Sequence, residues 1–416
     1  MTSSAQVRPD SVASRPAWLV PSAVLFAVVV FSWMTWVHSP RLLVVFGVFN
    51  YGTWFIDSYA ILATNDALKA GLDPSQPNPF DPLGRPHSYS QWWFVLGTLG
   101  LTRDNNFLFG GLFVVAFLAA ALATLRPRDP RDVVVAALCL LSPPVMMAVN
   151  RANNDLVVFA LVGFAALLVV RQARLPSFAG VALLGIATGL KFYPVVSGFA
   201  LLGLRPLRRM WPLALVAGIL SAAAFVHVWN YFRQAVIPVP ANVHTFGAPL
   251  LWRDFGFEGG WVAPASVLLL VALAAPLWWL RSRVPVGDTP VGSDEIQAHA
   301  AAVMLLACFV GGISFSYRGI LAIWPLWLAW REWRAGRPQR GLLAAEIALL
   351  IGVLWLDGLF CAAVNLTHTA VERFRLEHWQ LVWRFWTQPL VWLAMAFLTA
   401  RLFGVLTALW RDSRRA

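Results

Sequence analysis

The chain has 416 residues, of which 59% are apolar and only 12% charged. A soluble protein carries about twice that share of charge, and here the apolar residues come in long unbroken runs, so soluble enzymes, nucleic-acid binders and secreted domains are excluded. The net charge of +12 is then a record of membrane topology, with Lys and Arg gathering on the cytoplasmic side, and not a sign of nucleic acid.

In chain order the apolar runs fall near residues 18–37, 105–125, 133–149, 156–170, 177–190, 194–204, 212–229, 261–280, 297–316, 319–330, 341–361 and 382–409. A spanning helix needs about 20 apolar residues. The expected fold is an all-α polytopic membrane protein with about 12 transmembrane or re-entrant helices in one integral membrane domain, residues 1–416. Runs 194–204 and 319–330 are short for a full crossing. Arg8 and Arg15 precede the first run and no small-residue cleavage site follows it, so that run is expected to stay as a first helix. With the N terminus in the cytoplasm, every inner segment is Arg-rich: Arg126, Arg128 and Arg131; Arg171 and Arg174; Arg205, Arg208 and Arg209; Arg281 and Arg283; Arg331, Arg334, Arg337 and Arg340; Arg411, Arg414 and Arg415. With Arg8 and Arg15 these make 19 of the 32 basic residues, which places both termini in the cytoplasm of a multi-pass protein of the cell (inner) membrane. The long segments, 38–104, 230–260 and 362–381, all fall outside. Long ordered loops are usually functional, so the working face is expected toward the periplasm or its equivalent.

The first outer loop, 38–104, is the richest in chemistry. Residues 55–70 predict a helix with its apolar residues on the membrane surface, stopped at Gly71 and Pro74. Asp57 begins it where apolar residues meet polar ones. It reads either as a helix cap or as a partly desolvated carboxylate whose pKa rises toward that of a general base. The loop ends in Arg85-Pro86-His87-Ser88-Tyr89-Ser90-Gln91. A second feature is Asn150-Arg151-Ala152-Asn153-Asn154-Asp155, far more polar than turning the chain requires. Arg151 suits a phosphate held bidentately and Asn153 and Asn154 suit sugar hydroxyls; the plain alternative is a turn with an Arg151–Asp155 pair and Asp155 as cap. Third comes Gly189-Leu190-Lys191-Phe192-Tyr193-Pro194, where Lys191, one of two lysines in the chain, sits inside an apolar stretch. Two half-helices broken at Pro194 would put Lys191 at their tip, where an ionisable group is functional by default; the alternative is snorkelling to the headgroups. Arg318 lies in a similar tight turn, Ser314–Gly319. His244, Arg253, Asp254 and Glu258, with Arg373, Arg375, Glu377 and His378, read mostly as solvated loop charges, and Glu346 and Asp357 as paired. Cys139, Cys308 and Cys361 lie in or at the end of apolar runs and indicate neither disulfides nor a metal.

Asp57-Ser58-Tyr59 with Gly71 and Pro74, the Asn150–Asp155 turn and the Gly189–Pro194 segment together resemble the GT-C class of integral-membrane glycosyltransferases. Within it they look most like glycosyltransferase family 87, the polyprenyl-phosphate-mannose-dependent mannosyltransferases. The likeness spans about residues 50–200 and is only hydropathic beyond. Where the family has Tyr-Pro-Pro this chain has Tyr89-Ser90-Gln91, and the family's Gln-x-Asn type of turn is here Arg151-Ala152-Asn153-Asn154-Asp155. The resemblance implies transfer of a sugar, by preference mannose, from a polyprenyl-phosphate donor to a lipid or glycan acceptor, with inversion. It implies Asp57 as general base, Lys191, Arg151 and Arg318 as holders of the donor phosphate, and Tyr59, His87, Tyr89, Asn153, Asn154 and Asp155 toward acceptor or sugar. No metal or other cofactor is expected, the lipid-linked sugar being the co-substrate and membrane lipids and the acceptor the partners. A transporter or flippase, a scaffold for envelope assembly, and a ligase or polymerase of lipid-linked oligosaccharides are the rival readings.

Overall fold

The computed structural model describes residues 17–48, 52–171, 173–198, 215, 218–219, 222–227, 245–283, 292–367 and 376–415. The first run becomes α1 (Leu19–His38), which buries only Ser22, Leu25, Val29 and Trp33, a single stripe at helical spacing. Apolar side chains such as Phe31 point outward, as on a helix facing lipid. A short α2 (Pro40–Val45) leads to α3 (Ile56–Lys69), which ends at Ala70 with Gly71 in the left-handed region beyond it. Its apolar residues Ile56, Ile61, Leu62 and Ala63 are buried among the other helices, so they do not rest on the membrane surface as expected. The irregular stretch after it closes on α4 (Val95–Thr98) and feeds α5 (Asn106–Leu125).

Run 133–149 is not one straight span. It forms α6 (Pro130–Leu140) and α7 (Pro143–Arg151), bent by 57° at the break. Pro143 and Pro144 cannot donate backbone hydrogen bonds to the preceding turn, which is why the break falls there. Then come α8 (Asn154–Val169) and α9 (Arg174–Leu190), both apolar but only 16 and 17 residues long. A 3-10 turn, Tyr193–Val196, follows α9. Run 194–204 beyond Ser197–Gly198, half of run 212–229 and the start of loop 230–260 lie outside the described residues.

The second half comprises α10 (Pro249–Asp254), α11 (Val262–Ser282), α12 (Ser293–Val310), α13 (Ile323–Arg334), α14 (Arg340–Thr367) and α15 (Leu376–Arg415). Run 319–330 starts as a 3-10 turn, Ser316–Ala322, before α13. Two-residue strands β1 (Thr245–Phe246) and β2 (Ser314–Phe315) pair antiparallel. Among the described residues, six helices are long and apolar enough to cross a membrane, or seven if the bent pair α6–α7 is one span. The chain is thus an all-α polytopic membrane protein.

Close packing relies on glycines opposite large side chains. A Cβ on Gly358 would lie 2.1 Å from Pro143, and one on Gly163 would lie 2.9 Å from Trp324. Trp324 stacks on Phe159 with centroids 3.8 Å apart.

The segments between helices meet in two groups. In one, Arg334 pairs with Asp129 and Asp132, Arg331 with Asp294, and the fully buried Glu346 takes both Arg281 and Arg401. Arg281, Arg331 and Arg334 belong to segments that the charge pattern assigns to one side, while Glu346 and Arg401 come from within α14 and α15. In the other, residues 55–90, 150–155, 189–193 and 314–318 converge, all from segments assigned to the opposite side.

Candidate functional site

Asp57 sits in the first turn of α3. The residue before the helix, Phe55, has a left-handed backbone (φ 59°) and its amide donates to the Asn150 carbonyl at 3.1 Å. Its ring fills a notch against Gly110, where a Cβ would be 2.5 Å away. This strained start turns Asp57 toward the α7–α8 turn instead of letting it cap α3, and the helix has no side-chain cap.

Asp57 is 1% exposed, and its carboxylate accepts four hydrogen bonds. Arg151 Nε donates to Oδ2 and Arg151 Nη2 to Oδ1, both at 2.8 Å; Asn153 Nδ2 donates to Oδ2 at 2.7 Å; Arg85 Nη1 donates to Oδ1 at 3.2 Å. Burial alone would push the carboxyl up. The charge and fork of Arg151, with Arg85 and Asn153, outweigh it and hold the acid at about 2. The expected upward shift is therefore reversed, because the sequence showed the burial but not its cations.

Arg151 is the last residue of α7, and Ala152 turns the chain through φ 43°. Asn153 caps α8, its Oδ1 accepting from the Asp155 amide at 2.9 Å. One amide thus caps a helix with its oxygen and binds Asp57 with its nitrogen. That leaves Asn153 committed to the protein and not to sugar hydroxyls. Asn154 is likewise turned inward, donating to the Leu190 carbonyl at 3.1 Å. Asp155 does not pair with Arg151. It is fully buried, and its Oδ1 accepts from Lys191 and from the Tyr193 hydroxyl at 2.7 Å, while Oδ2 has no hydrogen-bond partner.

Lys191 is the residue at which α9 stops, in an extended conformation (φ −150°, ψ 139°). The orphan carbonyls at that helix end are taken by neighbours: Gly189 O by the Ser90 hydroxyl at 2.5 Å and Leu190 O by Asn154. Gly189 is obligatory for contact, since a Cβ there would lie 2.0 Å from the Trp92 ring. Lys191 is 8% exposed, so it is paired inside the protein and does not snorkel. The returning half-helix expected after Pro194 lies outside the described residues.

The turn after β2 closes the cluster. Phe315 lies 5.4 Å from the Arg151 guanidinium carbon, Tyr317 lies 5.7 Å from Lys191 Nζ, and Arg318 stands 5.6 Å over the Tyr193 ring. Arg318 forms no ion pair with a carboxylate among the described residues, and its buried Nε has no hydrogen-bond partner. Tyr89 belongs to the same field: desolvation, then the Asp57 charge, push its phenol well above the usual value, so it stays protonated.

Of the residues expected in the site, Asp57, Tyr89, Arg151, Asn153, Asp155, Lys191 and Arg318 therefore converge, and Asn154 supports them. His87 does not point there. It is buried between Thr64 (Nδ1–Oγ1 2.9 Å) and the Ser90 carbonyl, and burial lowers it to about 4, so it is a neutral brace for the loop. Tyr59 lies two residues beyond Asp57 on α3, and among the described residues no side-chain hydrogen bond or ring contact ties it to the cluster. Arg85, Asp81, Tyr193 and Tyr317 are members that residue reading passed over. Arg85 is anchored by Asp81 (3.0 Å) and by the Ile56 carbonyl (2.7 Å), partners that no local pattern in a Pro-rich loop announces. Among the described residues no three His, Cys, Asp or Glu side chains form a group able to hold a metal.

Counted among the described residues, Arg85, Arg151, Lys191 and Arg318 face Asp57, Asp81 and Asp155, a balance of one positive charge in a buried setting. Such a cluster can bind an anion of single charge and offers carboxylates beside it for proton transfer. No family model matches the chain, and no curated protein or solved structure matches it.

Proposed function

We propose that the protein is a membrane glycosyltransferase that moves a sugar, by preference mannose, from a polyprenyl-phosphate donor to a lipid or glycan acceptor at its periplasmic or outer face. The observation that carries this reading is the surplus buried cation: Arg318 has no carboxylate ion pair among the described residues and stands over Tyr193, whose hydroxyl shares Asp155 with Lys191, at the ends of apolar helices. A sugar phosphodiester bears a single negative charge and hangs from a lipid tail, which suits both the charge count and the lipid-facing helices.

In this reading the acceptor hydroxyl attacks the anomeric carbon as the bond from that carbon to the phosphate oxygen breaks, inverting the centre. The proton passes to Asp57 and polyprenyl phosphate leaves. Arg318, Lys191 and Arg151 stabilise the charge that grows on it, which is where fixed cations lower a barrier most. Asp57 is ionised at any physiological pH and is therefore weakly basic; proton transfer then comes late, once bonding to the sugar has made the hydroxyl acidic. Asp155 is the second candidate base, since its Oδ2 is without a partner.

The test is transfer in nanodiscs from a panel of short-chain polyprenyl phosphates carrying mannose, glucose or galactose, with membrane lipid extract as acceptor, for wild type, Asp57→Asn and Asp155→Asn. Transfer by wild type that Asp57→Asn abolishes, in a folded protein, supports Asp57 as base. Activity retained in Asp57→Asn and lost in Asp155→Asn moves the role to Asp155. No transfer from any donor removes the reading in favour of a transporter or flippase.

A further inference from the structure

An ionised carboxylate has about four lone-pair sites on its two oxygens. All four on Asp57 are filled: two by Arg151, one by Asn153 and one by Arg85. The charged and titratable groups around it are Arg151 from the end of α7, Arg85 and Tyr89 from the outer loop, and Tyr317 from the turn before α13. As it stands, Asp57 has no site for the proton of an incoming hydroxyl. One donor must withdraw before it can act as a base.

The four donors are not equal. Arg151 and Asn153 hold at 2.7–2.8 Å and are almost fully buried, Arg151 with its side chain 9% exposed. Arg85 holds Asp57 through one nitrogen at 3.2 Å, and its side chain is 20% exposed. It also loses least on leaving, because Asp81 keeps it through Nε and Nη2 and the Ile56 carbonyl accepts from Nη2 at 2.7 Å. Asn153 is held in place by capping α8, and Arg151 would give up two hydrogen bonds to Asp57 on leaving, against one for Arg85.

We infer that Arg85 is a positioning residue that occupies the acceptor's place on Asp57 Oδ1 and yields it to the acceptor hydroxyl. The inference rests on Asp57 being the base. Its consequence is protection of the donor. With Arg85 in place, water finds no open lone pair on the base, so the donor is not hydrolysed while no acceptor is bound. When the acceptor hydroxyl displaces Arg85 Nη1, its proton has a receiver, and loss of one cation from Asp57 makes the carboxylate more basic.

The experiment measures release of free sugar from the same donor panel in nanodiscs of phosphatidylethanolamine and phosphatidylglycerol, without acceptor. The variants are Arg85→Ala, Arg85→Lys and Arg85→Ala/Asp57→Asn. In Arg85→Ala, water attacks the anomeric carbon, the bond to phosphate oxygen breaks, Asp57 takes the proton, and sugar and polyprenyl phosphate are released. Hydrolysis is expected to rise by about tenfold over wild type, equivalent to about 1.4 kcal/mol of barrier, and to vanish in the double variant. Arg85→Lys keeps a cation at Asp81 without the fork that reaches both carboxylates, and is expected to fall between. A merely structural Arg85 predicts the opposite, with hydrolysis and transfer falling together. Hydrolysis at or below the wild-type rate in both single variants, with Asp57→Asn still dead for transfer, overturns the inference and leaves the base intact. Hydrolysis that persists in the double variant overturns Asp57 as base, and the inference with it. Absence of both transfer and hydrolysis in every protein overturns the functional reading itself.

Discussion

Asp57→Asn tests the geometry of the site independently of any substrate. In the folded protein the carboxyl is held at about 2 against an ordinary 3.8. A group whose folded pKa is depressed contributes stability above its unfolded value, and that contribution is lost as pH falls through the folded one. The difference here corresponds to roughly 2 kcal/mol, fully present above about pH 4 and gone near pH 2. Asparagine has the same shape but no charge, and its NH2 stands where one accepting oxygen was, so Arg151 and either Arg85 or Asn153 face a donor instead of an acceptor. Removing one partner of a buried ion pair costs about 3–5 kcal/mol. The assay is thermal unfolding in detergent of wild type and Asp57→Asn from pH 7 to pH 2. Wild type is expected to be the more stable at pH 7, by a margin constant down to about pH 4 that then shrinks as Asp57 itself becomes neutral. Subtracting the variant cancels other titrating groups. Equal stability at pH 7, or a margin that does not change between pH 4 and pH 2, would refute the four-donor cage around Asp57.

Four further outcomes follow from the same geometry. Gly189→Ala puts a Cβ 2.0 Å from the Trp92 ring, so unfolding should occur several degrees lower, with partial recovery in Gly189→Ala/Trp92→Ala, because the clash is with that one side chain. Lys191→Met strands the fully buried Asp155, and a loss of about 3–5 kcal/mol is expected; Lys191→Met/Asp155→Asn should regain most of it in a denaturant titration. Arg318→Met breaks no ion pair among the described residues, so its unfolding temperature should stay near wild type, while sugar transfer falls by at least ~100-fold if it meets the phosphate, as loss of one donor to developing charge commonly does. His87 is held at about 4 by burial against an ordinary 6.5; stability is complete above 6.5 and declines as pH drops toward 4, a decline that His87→Gln should lack in the same unfolding series.

Lys191 and Asp57 show how differently two site residues could be read. Lys191 is conspicuous because a lysine within an apolar stretch followed by Tyr193-Pro194 has few structural excuses, and the helix does stop at Leu190. The identity of its partner was not legible: Arg151 is nearer to Asp155 in the chain, yet the turn at Ala152 sends Arg151 across to α3 and leaves Asp155 for Lys191. For Asp57 the desolvation was legible from its position, whereas the sign of its pKa shift depended on cations 28 and 94 residues away.

Composition and run length by themselves determine that this chain lives in a membrane as a bundle of helices, because the bilayer admits no other use for so much apolar sequence with so little charge. The alternating arginines give an expectation of which connecting segments share a side. Local chemistry determines where helices stop, at Gly71, at Pro143-Pro144 and before Tyr193-Pro194. Only the tertiary structure decided that α6 and α7 bend apart, that the apolar face of α3 is buried in protein, and which charge meets which. Ion pairs are chosen by proximity in space among several cations of equal charge, and the distances that settle the choice are set by turns and close glycine contacts far from the paired residues in sequence.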